Sequence, residues 1–267
     1  MDQHQPRKRF GQHFLHDSRV IGRIVAAIDP RPGDRMVEIG PGLGALTCPL
    51  LERLDELQAV ELDRDVIPRL EARCTGPGRL VVHQADALRF DFAALATGPR
   101  SLRVVGNLPY NVSTPLIFHL LAQREALRDM HFLLQKEVVE RLAARPGTSQ
   151  YGRHSVMVQY HCHAERLFSV GPGAFRPPPK VDSAVVRLVP HETPPWPARD
   201  ERLFADLVRQ AFSQRRKTLR KALKGLVGPE HFDVTGIDPG LRGERLTVEQ
   251  FVQLANAASG QPMTVQT

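Results

Sequence analysis

Met36-Val-Glu-Ile-Gly-Pro-Gly-Leu-Gly44 decides how this chain folds. A short apolar run, Met36 to Ile39, meets a glycine-rich turn and then a segment with helical patterning near 45–54. Strand, tight turn and helix in that order open a βαβ unit, and the same alternation continues outward. Leu57 to Leu62, Leu80 to His83, Leu102 to Val105 and Met130 to Leu134 read as strands, with helical segments near 64–73 and 115–127. Alternation of this kind predicts an α/β fold with a parallel, doubly wound sheet. Upstream, Asp17 caps an amphipathic helix that runs to Ile28 and is stopped by Asp29-Pro-Arg-Pro-Gly33.

Downstream, a helix near 136–144 precedes extended runs at Val156 to His163 and Ser183 to Val189. Between them lies Gly171-Pro-Gly-Ala-Phe-Arg-Pro-Pro-Pro179. Pro190-His-Glu-Thr-Pro-Pro-Trp-Pro197 reads as a linker, and from Asp200 on the pattern is helical. The expected domains are therefore 1–190 (α/β), 191–199 (linker) and 200–267 (small all-α).

The 267 residues carry a net charge of +7, which favours polyanionic partners over acidic ones. Cys48, Cys74 and Cys162 are scattered, with no C-x-x-C, so reduced thiols and a cytoplasmic location are expected. No run approaches the roughly 18 apolar residues of a membrane span. Arg7, Lys8 and Arg9 are followed by no apolar stretch, so the start reads as a basic arm rather than a signal peptide.

Chemistry gathers at the expected carboxyl ends of the strands, where open α/β sheets place ligands. Glycines after the first strand let a backbone approach a ligand, and the helix behind them faces its negative groups. Gly40, Gly42 and Ala45 satisfy G-x-G-x-x-G/A, a pattern that does not choose between a nicotinamide cofactor and S-adenosylmethionine. Glu61, on the next strand, stands where a carboxylate grips ribose hydroxyls, and Asp86, after the third, can accept from an adenine amino group.

On the fourth strand comes Val105-Gly-Asn-Leu-Pro-Tyr-Asn-Val-Ser-Thr-Pro115, with Ser113 and Thr114 as helix caps. The Asn107 side-chain carbonyl and the backbone carbonyl ahead of Pro109 can each accept an N–H from an aromatic amine. Two such acceptors pull the nitrogen toward a tetrahedral shape and free its lone pair. Pro109 stiffens the second, and Tyr110 offers a face to a base taken out of its stack.

Phe10-Gly-Gln-His-Phe-Leu15, Glu38 to Thr47, Glu61-Leu-Asp-Arg-Asp65, Gly106 to His119 and Leu134-Gln-Lys-Glu-Val138 resemble the ribosomal RNA adenine dimethyltransferases. So do Tyr151-Gly-Arg, Pro177-Pro-Pro-Lys-Val-Asp-Ser-Ala184 and Phe212-Ser-Gln-Arg-Arg-Lys-Thr-Leu219. The last two stretches favour the family's bacterial small-subunit (16S) branch. The resemblance implies a Rossmann-like S-adenosylmethionine-dependent methyltransferase domain, followed by a helical domain that binds RNA. It implies transfer to N6 of two adjacent adenosines in a hairpin near the 3′ end of 16S rRNA, giving N6,N6-dimethyladenosine, by a monomer acting on the small-subunit particle during its biogenesis.

By matching positions, His13 and Leu15 close over the cofactor and Gly40 lines its methionine part. Glu61 holds the ribose, Asp86 the adenine and Asn107 the reacting end. Phe175 would be a second aromatic on the flipped base, opposite Tyr110. His13 departs from the Asn of many relatives, although both side chains donate or accept hydrogen bonds. No catalytic metal is expected, and His161-Cys162-His163, with both histidines on one strand face, has no second ligand pair and reads as structural.

Gln214 to Lys224 places six basic residues on an expected helix whose Leu219 and Leu223 turn inward, a surface for RNA phosphates. The competing readings are a large-subunit rRNA adenine methyltransferase, a small-subunit assembly factor without catalysis, and a nicotinamide oxidoreductase, which leaves Asn107 to Tyr110 without a role.

Overall fold

The computed structural model describes residues 13–110 and 112–260. The basic arm and residues 10–12 of the Phe10 to Leu15 motif lie outside the described residues. Of those described, the residues up to Val139 together with Ala164–Pro190 form one compact unit, and Glu140–His163 together with those from His191 onward form a second. Residues 140–163 thus leave the α/β domain assigned to them by sequence. The reason is packing: Tyr151, Val156 and Tyr160 share an apolar cluster with Phe204, Leu207 and Phe251.

The first unit runs β1 (Phe14–Leu15), α1 (Ser18–Ile28), β2 (Arg35–Ile39), α2 (Thr47–Leu51), β3 (Glu56–Glu61), α3 (Ile67–Arg73), β4 (Arg79–Gln84), β5 (Leu102–Asn107), α4 (Ser113–Leu121) and β6 (Leu127–Gln135). After α5 (Lys136–Leu142) and α6 (Arg153–His161), the chain returns through β7 (Cys162–Val170), β8 (Phe175–Arg176) and β9 (Ser183–Pro190). The sheet order is β4-β3-β2-β5-β6-β9-β7. The first five of these are parallel neighbours and β9 is antiparallel to β6. Strand order reverses between β2 and β5, the switch point beside which such sheets hold ligands.

Each element has a local cause. Asp17 Oδ1 accepts from the Arg19 and Val20 amides and starts α1, as expected. β2, β3 and β5 are buried along nearly their whole length, as sheets covered on both faces require. Ser113, expected as a cap, instead donates from its hydroxyl to the Tyr110 carbonyl, and Val112 is the residue before α4.

The amino end of β5 carries a buried charge cluster. Arg103 Nε donates to Asp129 Oδ1 at 3.0 Å and its Nη1 to Asp34 Oδ2 at 2.7 Å. His131 Nδ1 stands 3.6 Å from Asp129 Oδ1. Asn107, four residues along the same strand, lies on the order of 13 Å away at the carboxyl end. Stability and chemistry therefore occupy opposite ends of one strand.

The thiol expectation is corrected. Cys48, in α2, and Cys74, the residue capping α3, form a disulfide with Cα atoms 4.7 Å apart. The bridge lies under the glycine turn: a Cβ on Gly44 (φ +83°) would sit 2.5 Å from Cys74 Sγ. A bridge across 26 residues restricts the unfolded chain by about 3–4 kcal/mol in the chain-entropy model. Reduction with dithiothreitol should therefore lower the melting temperature of the wild-type protein and leave that of Cys48→Ser unchanged. Cys162 is buried and takes no part in the disulfide.

The second unit contains α6, α7 (Glu201–Ser213), α8 (Leu219–Ala222), α9 (Pro229–Thr235) and α10 (Val248–Ala258). The expected strand at Val156 to His163 is helical to His161, because Val156 and Tyr160, four apart, both reach the apolar cluster. His161 and His163 consequently do not share a strand face. The basic run is not one helix either, since α7 ends at Ser213 and a turn separates it from α8. Leu219 and Leu223 are nevertheless fully buried, as expected, and anchor the segment.

Among the described residues no helix is long and apolar enough to cross a membrane, and no group of His, Cys, Asp and Glu is arranged to hold a metal ion.

Candidate active site

A cavity of about 1360 Å³ opens at the carboxyl ends of β2, β3, β4 and β5, within the first unit. Its lining includes His13, Leu15, Gly40, Glu61, Asp86, Asn107, Pro109 and Tyr110, so all but one of the residues singled out by sequence meet there.

The exception is Phe175. It pairs with Leu15 across β1 and β8 and is buried in the apolar cluster, while its neighbours Arg176 and Pro177 line the cavity. In this arrangement its ring is core rather than a surface opposite Tyr110. Two residues of strand alternate sides, and here it is Arg176 that faces out.

The loop after β2 supplies the floor. Gly40 has φ +64°, a conformation that favours glycine, and a Cβ there would find nothing within 4 Å. The space stays open for a ligand pressed against the backbone. Glu61, at the end of β3, accepts from the Gly42 amide through Oε2 at 3.2 Å and from the Asp63 amide through Oε1 at 2.9 Å. The carboxylate thus shapes the glycine turn and keeps acceptor capacity for a sugar hydroxyl. Burial pushes its pKa up, against the backbone hydrogen bonds that lower it. Asp86, past the end of β4, accepts from the Leu88 amide at 3.0 Å through Oδ1.

The amine end is built around His13. Its Nδ1 donates to the Pro177 carbonyl at 2.8 Å, since a carbonyl can only accept. Its own carbonyl accepts from Asn107 Nδ2 at 3.2 Å. That bond decides which way the Asn107 amide faces: the nitrogen is engaged, and Oδ1 is left as the acceptor. The Pro109 and Tyr110 carbonyls are taken by Val112 N and Ser113 Oγ. Among the described residues none donates to the Leu108 carbonyl, the second expected acceptor. The Tyr110 ring lies 5.7 Å from that of His13 at an interplanar angle of 29°, and its hydroxyl is 3.0 Å from Ser183 Oγ at the start of β9.

Sequence reasoning did not single out Glu38. It is 2% exposed, lines the cavity, and its Oε2 accepts from Thr47 Oγ1 at 2.6 Å. Burial, helped by the nearby Glu61 charge and only partly offset by Thr47, pushes its pKa from the ordinary 4.5 to about 7. Neutral in both folded and unfolded chains below pH 4.5, the group destabilises the fold progressively as pH rises to about 7 and fully above it. Glu38→Gln should therefore raise stability at pH 8 by roughly 3 kcal/mol and leave it unchanged at pH 4, as read from denaturant unfolding.

The family model described as ribosomal RNA adenine dimethylase matches residues 3–259. A protein of Pseudomonas fluorescens named ribosomal RNA small subunit methyltransferase A is 59% identical over 97% of this chain and 96% of its own length. A Pseudomonas aeruginosa protein of the same name is 58% identical over 97% of both chains. Among solved structures, a dimethyladenosine transferase from Plasmodium falciparum superposes with a TM-score of 0.79 at 27% identity, covering 91% of this chain and 96% of that one. The 23S rRNA methyltransferase ErmE, at 23% identity and a TM-score of 0.74, covers 92% of this chain and 99% of its own and shares the fold. A match from residue 3 to residue 259 leaves little of the sequence outside it, and the chain belongs to the ribosomal RNA adenine dimethylase family.

Proposed function

We propose that this protein transfers methyl groups from S-adenosylmethionine to N6 of two adjacent adenosines in a hairpin loop near the 3′ end of 16S rRNA. It acts as a monomer on the small subunit or its precursor, the cytoplasmic location now resting on that substrate and no longer on reduced thiols, and the product is N6,N6-dimethyladenosine. The observation that carries this reading is the fixed Asn107 amide, whose Oδ1 is left to accept at the carboxyl end of β5, across the switch point from the Gly40 loop. The relatives named small-subunit methyltransferases, at 58–59% identity over almost the whole chain, support the small-subunit substrate over the large-subunit one.

The donor fits the residues present. Gly40 leaves room for its methionine part, Glu61 has lone pairs for the ribose hydroxyls, and Asp86 can accept from its adenine. When bound, S-adenosylmethionine supplies a methyl group already made electrophilic by a sulfonium. The protein therefore positions and polarises the amine and has no need to deprotonate it first. At the first transfer Asn107 Oδ1 and the Leu108 carbonyl would accept the two N–H bonds, which turns the nitrogen lone pair out of the ring. The methylated nitrogen would then lose its surplus proton to water, with the neutral thioether as the leaving group, and at the second transfer one N–H remains to be held. Tyr110, with its hydroxyl on Ser183, carries the face of the base and holds the nitrogen in line.

Arg216, Lys217, Arg220, Lys221 and Lys224 are exposed in the second unit, and they would meet RNA phosphates there. Arg215 is instead tied to the Ser149 and Tyr151 carbonyls and to Glu244, a structural use.

The test is transfer of labelled methyl to unmethylated small subunits, large subunits, naked rRNA and DNA. Label confined to small-subunit RNA is expected. Label in large-subunit RNA would favour resistance-type chemistry, and tight small-subunit binding without transfer would make the protein an assembly factor.

A further inference from the structure

Of the large apolar side chains left exposed among the described residues, Val181 has an unusual address. It is 46% exposed, in the segment between β8 and β9, and that segment is pinned to the amine end of the cavity on both sides. At its start the Pro177 carbonyl accepts from His13 Nδ1. At its end the Asp182 carbonyl accepts from the Lys136 amide at 2.9 Å, and Ser183 Oγ meets the Tyr110 hydroxyl. Pro179 within it is buried. Two residues of chain span at most about 7 Å, so Val181 is held within that reach of Ser183, the residue that meets the Tyr110 hydroxyl at the rim of the cavity. Arg176, on the cavity lining at the start of the segment, is exposed, as are Lys180 and Asp182, the chain neighbours of Val181.

An adenosine in a hairpin cannot present N6 to this cavity while stacked. Enzymes that work on a base extrude it, and proteins that unstack bases commonly insert an apolar side chain at the step they open. An exposed isopropyl group in a segment that carries Arg176 and Lys180 offers a base face an apolar surface and the flanking phosphates two charges, and the carboxylate next to it, Asp182, has its own counter-ion in Lys136 at 3.7 Å.

We propose that Val181 is the wedge that packs against the neighbouring base once the target adenosine has left the stack, with Arg176 and Lys180 on the adjoining phosphates. The proposal rests on the adenosine reading of the cavity. It gives the exposed valine a role in substrate opening, separate from the acceptors that act on the amine.

The experiment uses unmethylated small subunits reassembled with 2-aminopurine in place of one of the two adjacent adenosines. This probe brightens when unstacked. Wild-type protein and Val181→Ile should brighten it equally. Val181→Ser, exposed and so free to fold, should bind the particle within about three-fold of wild type yet give a brightening at least about five-fold smaller. On ordinary subunits its kcat should fall about ten-fold with the KM for S-adenosylmethionine unchanged. Full brightening with Val181→Ser, or a loss that only tracks weaker binding, would overturn the wedge. Transfer by the wild-type protein to ordinary subunits is run alongside: if that is absent the adenosine reading has failed, and the wedge falls with it.

Discussion

Replacing Asn107 by Ala lowers the rate of methyl transfer by about 10²–10³-fold, the usual loss when one preorganised polar group is taken from a reacting centre. The Asn107 side chain does two things that Ala cannot. Its Nδ2 donates to the His13 carbonyl, and this leaves its Oδ1 as the acceptor that the proposed mechanism assigns to the amine. Without it, one N–H of the substrate has no acceptor, and the nitrogen keeps its lone pair in the ring. The loss falls on kcat, because the polarised amine is stabilised chiefly as the new bond forms. Folding should be little affected, since Asn107 is only partly buried and at the end of its strand. Measured kcat on small subunits, with thermal melts of the same sample, separates the two effects.

Asp129→Asn destabilises the first unit by about 3 kcal/mol, the low end of what breaking a buried charge pair costs, because Asp34 remains as a partner for Arg103. Arg103 and Asp129 are both almost fully buried, and a guanidinium left beside a neutral amide there has lost most of its compensation. The pH dependence follows from the same contact. Burial would raise the Asp129 pKa, but the adjacent His131 ring and the Arg103 hydrogen bond and charge outweigh it and hold the group at about 2, below the ordinary 3.8. Its contribution is complete above about pH 4 and is lost as pH falls through 2. The variant should show a shallower loss of stability in acid than the wild type, measured by urea unfolding between pH 2 and 6.

Most of the cavity was legible because its residues sit at strand ends, and parallel strands buried on both faces announce themselves as apolar runs. Met36 to Ile39 and Leu102 to Val105 needed only small extension, to Arg35–Ile39 and Leu102–Asn107. Where tertiary packing overrides local pattern, the reading slipped. Val156, Val158 and Tyr160 alternate with Met157 and Gln159 like a strand, yet Ser155 Oγ accepts from the Gly152 amide and donates to the Arg141 carbonyl, and a helix begins. That one reversal moved residues 140–163 into the helical unit and left β7 unseen.

Contacts between distant residues were not legible at all. His13 and Asn107 are 94 residues apart, and nothing local says that one carbonyl sets the other's amide. His13, expected from the resemblance to close over the donor, is seen to hold the Asn107 amide through its carbonyl. The Cys48–Cys74 bridge and the buried Glu38 carboxyl likewise depend on how α2 follows the glycine turn, a packing result rather than a spacing one. Phe175 was assigned by resemblance, and its burial beside Leu15 shows how a motif position can carry core packing.

The measurement that bears most directly on the account is nucleoside mass spectrometry of small-subunit RNA after incubation with S-adenosylmethionine and either the wild-type protein or Asn107→Ala. The account predicts N6,N6-dimethyladenosine at two adjacent positions with the wild type and almost none with the variant in the same time. Dimethylation by Asn107→Ala at the wild-type rate, or a methylated product other than N6-methylated adenosine, would contradict it.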